Sequence, residues 1–271
     1  MNNDLPTLGV SLDVARLAEH RDWIMGAGRD VELRDPSYPE TLDNGWRQLA
    51  EQARSVLDGY AGRLGVHGPF MDLSTMARDS LVRKVAMDRF RQGLEFAAEV
   101  GASHMVIHSP FAALGANPFT RHSSGPKLDE EVCAAQEALG ETLSLAEENG
   151  CTLVMENIHD TNPGPLITLV RSFGSPNMRL SLDTGHAFIA HRLGAPPPDQ
   201  WVREAGDTLH HLHLQDTDGN ADRHWEPGDG GVNWFALFEA LAELDHSPRL
   251  ILEVENPLRG AERLRRDRLA V

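Results

Sequence analysis

The chain has almost no lysine: Lys84 and Lys127 are the only two among 25 Lys and Arg side chains. Neither ends a strand-like run, so Schiff-base chemistry on a strand lysine is not expected. Cysteine is as scarce, with Cys133 and Cys151 alone and no CxxC pair. A disulfide framework is therefore not expected, and a reducing cytoplasm is the expected compartment. No run approaches the roughly 18 uninterrupted apolar residues of a membrane span. The opening MNNDLPTLGV lacks a basic segment followed by a long apolar one, so no secretory signal is expected. Positive charge is outweighed, since 41 acidic residues give a formal net charge of -16. Such a field repels polyanions, and duplex DNA is not an expected partner.

What is present is regular alternation. Strand-like runs occur at LGVSL (8–12), DVELR (30–34), RLGVH (63–67), HMVIH (104–108), CTLVME (151–156), MRLSLD (178–183), LHHLHL (209–214) and LILEVE (250–255). Helical patterns lie between them, at Ala15–Ala27, Gly45–Gly59, Met76–Val100, Asp129–Asn149, Pro165–Phe173, Asp199–Ala205 and Trp234–Leu244, with a short tail from Leu258. Several strands are near-continuous apolar runs, as strands covered on both faces should be. Eight β-then-α units without a composition break predict an α/β fold, a (β/α)8 TIM barrel forming one domain over residues 1–271. An open doubly wound sheet would place a glycine-rich phosphate turn after the first strand, and VSLDVARLAEH has none. The longest irregular stretch, Phe111 to Leu128, is a candidate active-site loop.

The strand ends carry the chemistry. Strand 3 ends in His67, strand 4 in His108, strand 5 in Glu156 and strand 6 in Asp183, followed by His186. Strand 7 carries His213, and the loop after it holds Asp222 and His224; strand 8 carries Glu253. Taken singly, a histidine here reads as a hydrogen-bonded structural residue and Glu156 as a helix cap or the partner of an arginine. Together, five of the 13 histidines and four carboxylates fall at the same end of the predicted strands, where barrel sites are built. Imidazole and carboxylate are ligands for zinc, manganese or iron(II). One ion uses about four ligands, so this set suffices for two or three ions, zinc first and manganese second. In LDTGH, Gly185 is read as a tight turn bringing Asp183 and His186 to one point. His211 shares the barrel-facing side of His213 and reads as a supporting or core residue, and Glu255 as a substitute or support for Glu253. Arg223, between two proposed ligands, reads either as a contact to substrate phosphate or as a salt-bridge partner of a site carboxylate. Phe70 and Met71 read as an apolar wedge at the mouth or as packing beneath it.

These segments resemble the xylose-isomerase-like barrel superfamily, which includes endonuclease IV (AP endonuclease family 2) and many sugar and sugar-phosphate isomerases and epimerases. HGPFMDL, VIHSP, MEN, LDTGHAF, HLHLQDT, DRH and LE occur in the endonuclease IV order, between about Gly65 and Pro257. The resemblance implies one metal on His67, His108 and Glu156. It implies a second on Glu156, Asp183, His213 and Glu253, and a third on His186, Asp222 and His224. The isomerase branch needs only Glu156, Asp183, His213 and Glu253, and DVELRD and EVENP look more like that branch. LRDPSYPETLDNGW is acidic and short where endonuclease IV has long basic loops.

Two enzymes fit. The first expectation is a metal-dependent hydrolase of a small phosphoester, with Glu156 as bridging ligand and orienter of the nucleophile. The alternative is an isomerase or epimerase of a sugar or sugar phosphate, with Glu156 and Glu253 shuttling a proton through an enediolate. Both act on a small phosphorylated or polyhydroxylated molecule.

Overall fold

A computed structural model describes residues 5–111 and 126–271. Eight parallel strands pair in sequence order and close into a barrel, with β1 (Gly9–Leu12) also pairing with β8 (Arg249–Leu252). The others are β2 (Val31–Leu33), β3 (Leu64–His67), β4 (His104–His108), β5 (Thr152–Glu156), β6 (Met178–Asp183) and β7 (Leu209–Leu214). The expected single TIM barrel is thus present, with strand bounds within a residue or two for the first seven strands. Strand β8 ends earlier than expected, so Glu253 is the first residue beyond it. The expected loop at Phe111–Leu128 lies mostly outside the described residues, and its last part, from Pro126, opens the helix Pro126–Glu148. Among the described residues, no helix is long and apolar enough to cross a membrane.

The hydrophobic core lies outside the barrel wall, not within it. Strand residues alternate in direction. One set, including Val31, Leu33, Met105, Ile107, Leu153, Met155, Leu180, Leu182, Leu212 and Leu214, joins the continuous buried cluster shared with the helices. The opposite set reads Ser11, Glu32, His67, His104, Glu156, Ser181, Asp183, His211 and His213, all buried. Barrels of this type usually fill their interior with Val, Ile and Leu. Here Val106, Val154 and Ile251 supply some apolar filling, while much of the rest of the lumen is imidazole, carboxylate and hydroxyl, with Arg249 beside His211 in register. Unpaired, each such group would cost about 1–3 kcal/mol, so the fold depends on how they satisfy one another.

The helix Thr184–Arg192 starts directly after β6 with no intervening loop. Asp183 is both the last strand residue and the helix N-cap, its carboxylate accepting from the His186 backbone N–H at 2.6 Å. Gly185 does not make the expected turn; it has no positive φ and sits in the first turn of this helix. A glycine is needed there because a Cβ would stand 2.4 Å from Cδ of Gln215.

Candidate metal centre and active site

All nine residues read from the strand ends meet at one mouth. His67, Glu156, Asp183, His213 and Glu253 are buried, and His108 is half-buried. Three groups bring their ligand atoms within 4.8 Å of one another: His67–His108–Glu156, His67–His213–Glu253 and Glu156–Asp183–His213. His186 and His224 gather on Asp222, whose Oδ2 lies 3.3 and 3.1 Å from their Nε2 atoms. This last set is more open, with the Asp222 and His224 side chains 43% and 40% exposed. His224 is held in the left-handed region, φ 49°, a conformation that costs energy outside glycine.

Four of the imidazoles are oriented by a bond on one ring nitrogen. His67 Nδ1 meets the Gly68 carbonyl at 2.9 Å, His186 Nδ1 meets that of Asn157 at 3.0 Å, and His224 Nδ1 meets that of Glu253 at 2.9 Å. His213 is turned the other way round, with Nε2 on Glu32 Oε1 at 2.8 Å. A carbonyl or carboxylate accepts from an N–H, so in the neutral ring the second nitrogen is left as the one that can ligate. That is how metal-ligating histidines are held. Buried Glu156 Oε2 and His213 Nδ1 have no hydrogen-bond partner among the described residues, yet lie 3.3 Å apart. Ligand atoms about 2.0–2.2 Å from a tetrahedral ion stand roughly 3.3–3.5 Å from each other. The donor set and its spacing fit a divalent cation.

Without a cation, protons hold the cluster together. Burial pushes Glu156 up, but His213, His186 and His67 outweigh it and hold the carboxyl well below its usual range. Burial lowers His213 and His186, while the surrounding carboxylates raise both well above normal. His224 is raised to about 9, as Asp222 and Glu253 overcome its burial. Asp183 is raised to about 6 by burial, with Glu156, Asp222 and Glu253 adding repulsion against the pull of His186. His108 is lowered to about 3 by burial and stays neutral. Two or more positive charges in this mouth would replace those protons.

Several residues not read as functional build the site. Glu32 orients His213 from the far side of the barrel. Asn157 clamps the Asp183 backbone, accepting from its N–H at 2.8 Å and donating to its carbonyl at 3.3 Å. Gln215 links the two halves, donating to Asp183 Oδ1 at 3.2 Å and Asp222 Oδ1 at 2.6 Å and accepting from the His224 N–H at 3.1 Å. Phe70 stacks on His108 at 4.4 Å and meets His67 edge-on at 5.0 Å, so it packs against ligand rings while lining the mouth. Met71 is exposed.

Arg223 does not make the expected salt bridge to a site carboxylate. It pairs with Asp218 at 3.1 Å, and Asp218 is not among the mouth carboxylates. Alternation along the loop turns Asp222 and His224 inward and Arg223 outward. The arginine lining the mouth, among the described residues, is Arg34, which pairs with Asp13 at 3.0 Å. Glu255 is exposed, and its carbonyl accepts from Arg16 at 3.3 Å. The mouth cavity above the ligands is about 650 Å3, and Ser37, Tyr38, Ile158, Ile189 and Asn220 also line it.

Known proteins resemble the chain along most of its length. The TTHB071 protein from Thermus thermophilus, in a structure soaked with zinc chloride, is 29% identical, with a TM-score of 0.72 over 96% of both chains. A D-tagatose 3-epimerase-like protein is 22% identical with a TM-score of 0.74, covering 97% of this chain and 98% of that one. At that identity it shows the fold. Fructoselysine 3-epimerase of Escherichia coli O157:H7 is 25% identical over 155 residues, which span 57% of this chain and 54% of the enzyme. A family model described as xylose isomerase-like TIM barrel matches residues 26–269, and the chain belongs to that family.

Proposed function

We propose that the chain is a divalent-metal-dependent isomerase or epimerase acting on a small polyhydroxylated carbonyl compound. The observation that carries this reading is the placing of Glu156 and Glu253, whose Oε2 atoms lie 3.3 and 3.4 Å from the same atom, His213 Nδ1. Two carboxylates then flank one cation position, and substrate entering from the cavity meets both. Similarity to a fructoselysine 3-epimerase supports the same chemistry over the phosphoester hydrolysis that the sequence put first.

Glu156, Asp183, His213 and Glu253 would hold the cation. When bound, zinc or manganese would polarise adjacent hydroxyl and carbonyl oxygens and so acidify the C–H beside them. One glutamate removes that proton, and the other returns a proton to the carbon. The electron pair of the broken C–H bond passes to the carbonyl, giving an enediolate of the substrate, and comes back on reprotonation. Polar groups on the cavity wall, Ser37, Tyr38 and Asn220, are placed to bind hydroxyls.

A second reading keeps one specific observation in its favour. His67, His108, Asp222 and His224 exceed what a single cation uses, and clustered cations suit hydrolysis of a small phosphoester. The deciding experiment incubates the metal-loaded protein with free and phosphorylated ketoses in D2O. Deuterium at the carbon beside the carbonyl, with a new epimer or isomer, is the expected result. Release of phosphate from small phosphoesters, without such exchange, would overturn the proposal in favour of the hydrolase. Incision of an abasic-site duplex is not expected, given the net charge of -16.

A further inference from the structure

Below the mouth, the barrel lumen holds a second convergence of ligand atoms. Glu32, His104 and His211 are each 0% exposed. Each has a free atom facing the others. Glu32 commits Oε1 to Ser11 at 3.3 Å and to His213 at 2.8 Å, and its Oε2 has no partner. His211 commits Nδ1 to Ser181 Oγ at 2.8 Å, and its Nε2 has none. Neither nitrogen of His104 has a hydrogen-bond partner among the described residues. The three free atoms lie within 4.8 Å of one another, with Glu32 Oε2 3.0 Å from His211 Nε2 and 3.6 Å from His104 Nε2.

We propose that Glu32, His104 and His211 form a buried divalent-cation site of the zinc class, distinct from the mouth and sharing no ligand with it. The separations bracket the roughly 3.3 Å between ligands of a tetrahedral ion. At 3.0 Å an N–H of His211 aimed at the carboxylate would make a hydrogen bond, whereas His104 Nε2, at 3.6 Å, is beyond that distance. His211 makes none, so its ring is not aimed at Oε2. Left empty, three unpartnered groups would each cost about 1–3 kcal/mol. Burial holds His104 at about 3, hence in the neutral form that ligates. Gly65 makes the space: a Cβ there would stand 1.9 Å from Nε2 of His104. Arg249 acts on the same imidazoles and is a repulsion the cation meets, which the Glu32 carboxylate offsets.

The test is a location, so it does not depend on what reaction the mouth performs. The full chain is produced in zinc-supplemented medium, since a site with no exposed ligand fills most readily as the chain folds around the ion. Crystals are measured on both sides of the zinc absorption edge. The expected result is an anomalous peak among Glu32, His104 and His211, in addition to any in the mouth. His104→Phe, which keeps a ring against Gly65, is expected to lose one zinc per chain by elemental analysis while the mouth peaks remain. Occupied mouth sites with no deep peak would overturn the proposal, and would assign the trio to hydrogen bonding around Glu32. Should His104→Phe not fold, the map of the unaltered protein decides alone.

Discussion

Glu32 Oε1 stands 2.8 Å from His213 Nε2, joining the first quarter of the sequence to the seventh strand across the barrel lumen. The contact keeps Nε2 protonated and turns Nδ1 toward Glu156 and Glu253, so that once its proton is displaced Nδ1 offers its lone pair to a cation between them. It also makes the imidazole a better donor to a cation. Glu32→Gln keeps the shape but removes the charge. It is expected to weaken mouth metal affinity by about 10–100-fold, measured by competition with a chromophoric chelator. Unchanged affinity would show that the bond to Glu32 does not govern His213.

Glu156 belongs to two of the converging groups in the mouth, and Glu253 to one. Glu156→Gln should therefore lower metal content more than Glu253→Gln does. Both should cut turnover by about 10²–10⁴-fold, the usual contribution of a positioned acid or base. Equal metal content in the two variants would contradict the bridging role of Glu156, and a variant turning over at the normal rate would remove that residue from the proton path.

Most of this site was legible because its residues stand where β-strands stop. His67, His108, Glu156 and Asp183 each end an apolar run, and the barrel brings those ends together. Glu32 and His104 were harder to read, because Glu32 lies inside β2 and His104 opens β4, away from the strand ends, where a single polar residue resembles a tolerated exception; His211 was read only as a supporting or core residue. The signal was there: Glu32 stands between buried Val31 and Leu33, and Met105 and Leu212, next to His104 and His211, are buried on the opposite face. A period of two makes such residues face the lumen. Arg223 is left out of the mouth lining for the same reason in reverse, since its place between Asp222 and His224 turns it to the other side of the loop. The helix Thr184–Arg192 was missed because Asp183 serves strand, cap and ligand at once, leaving no loop to mark the boundary.

His224 and Asp222 are the most exposed of the candidate ligands and belong to the outermost set. His224→Ala should remove one ion by elemental analysis and leave those on Glu156 in place. Metal content equal to that of the unaltered protein would show that this outer set does not bind an ion.

Gly185 offers a test of how packing supports the site. An added Cβ would meet Gln215 Cδ at 2.4 Å, and Gln215 bonds both Asp183 and Asp222. Gly185→Ala is expected to cost about 1–3 kcal/mol by overpacking, read from urea unfolding. It should also weaken binding of the outer ion. A variant as stable as the original, with the same metal content, would show that Gln215 moves aside without consequence.

Metal binding should release protons, with a sign that follows from the raised values. In the metal-free protein His224 holds its proton up to about 9, whereas the unfolded value is 6.5. A raised histidine stabilises the fold fully below its unfolded value, and that contribution is lost as pH rises through the folded one. Metal-free protein should therefore lose stability between about pH 6.5 and 9. Metal-loaded protein, whose imidazole is already neutral, should not. At pH 7 the incoming cation must displace the His224 proton, so uptake acidifies the solution. Below about 6, Asp183 also gains a proton in the metal-free state, and affinity should fall more steeply with pH there. Calorimetric titration at pH 7 in two buffers of different ionisation enthalpy reads the proton count directly. Heats that differ between buffers are expected. Identical heats would mean that no proton leaves, and that His224 is neither protonated in the metal-free mouth nor displaced into coordination.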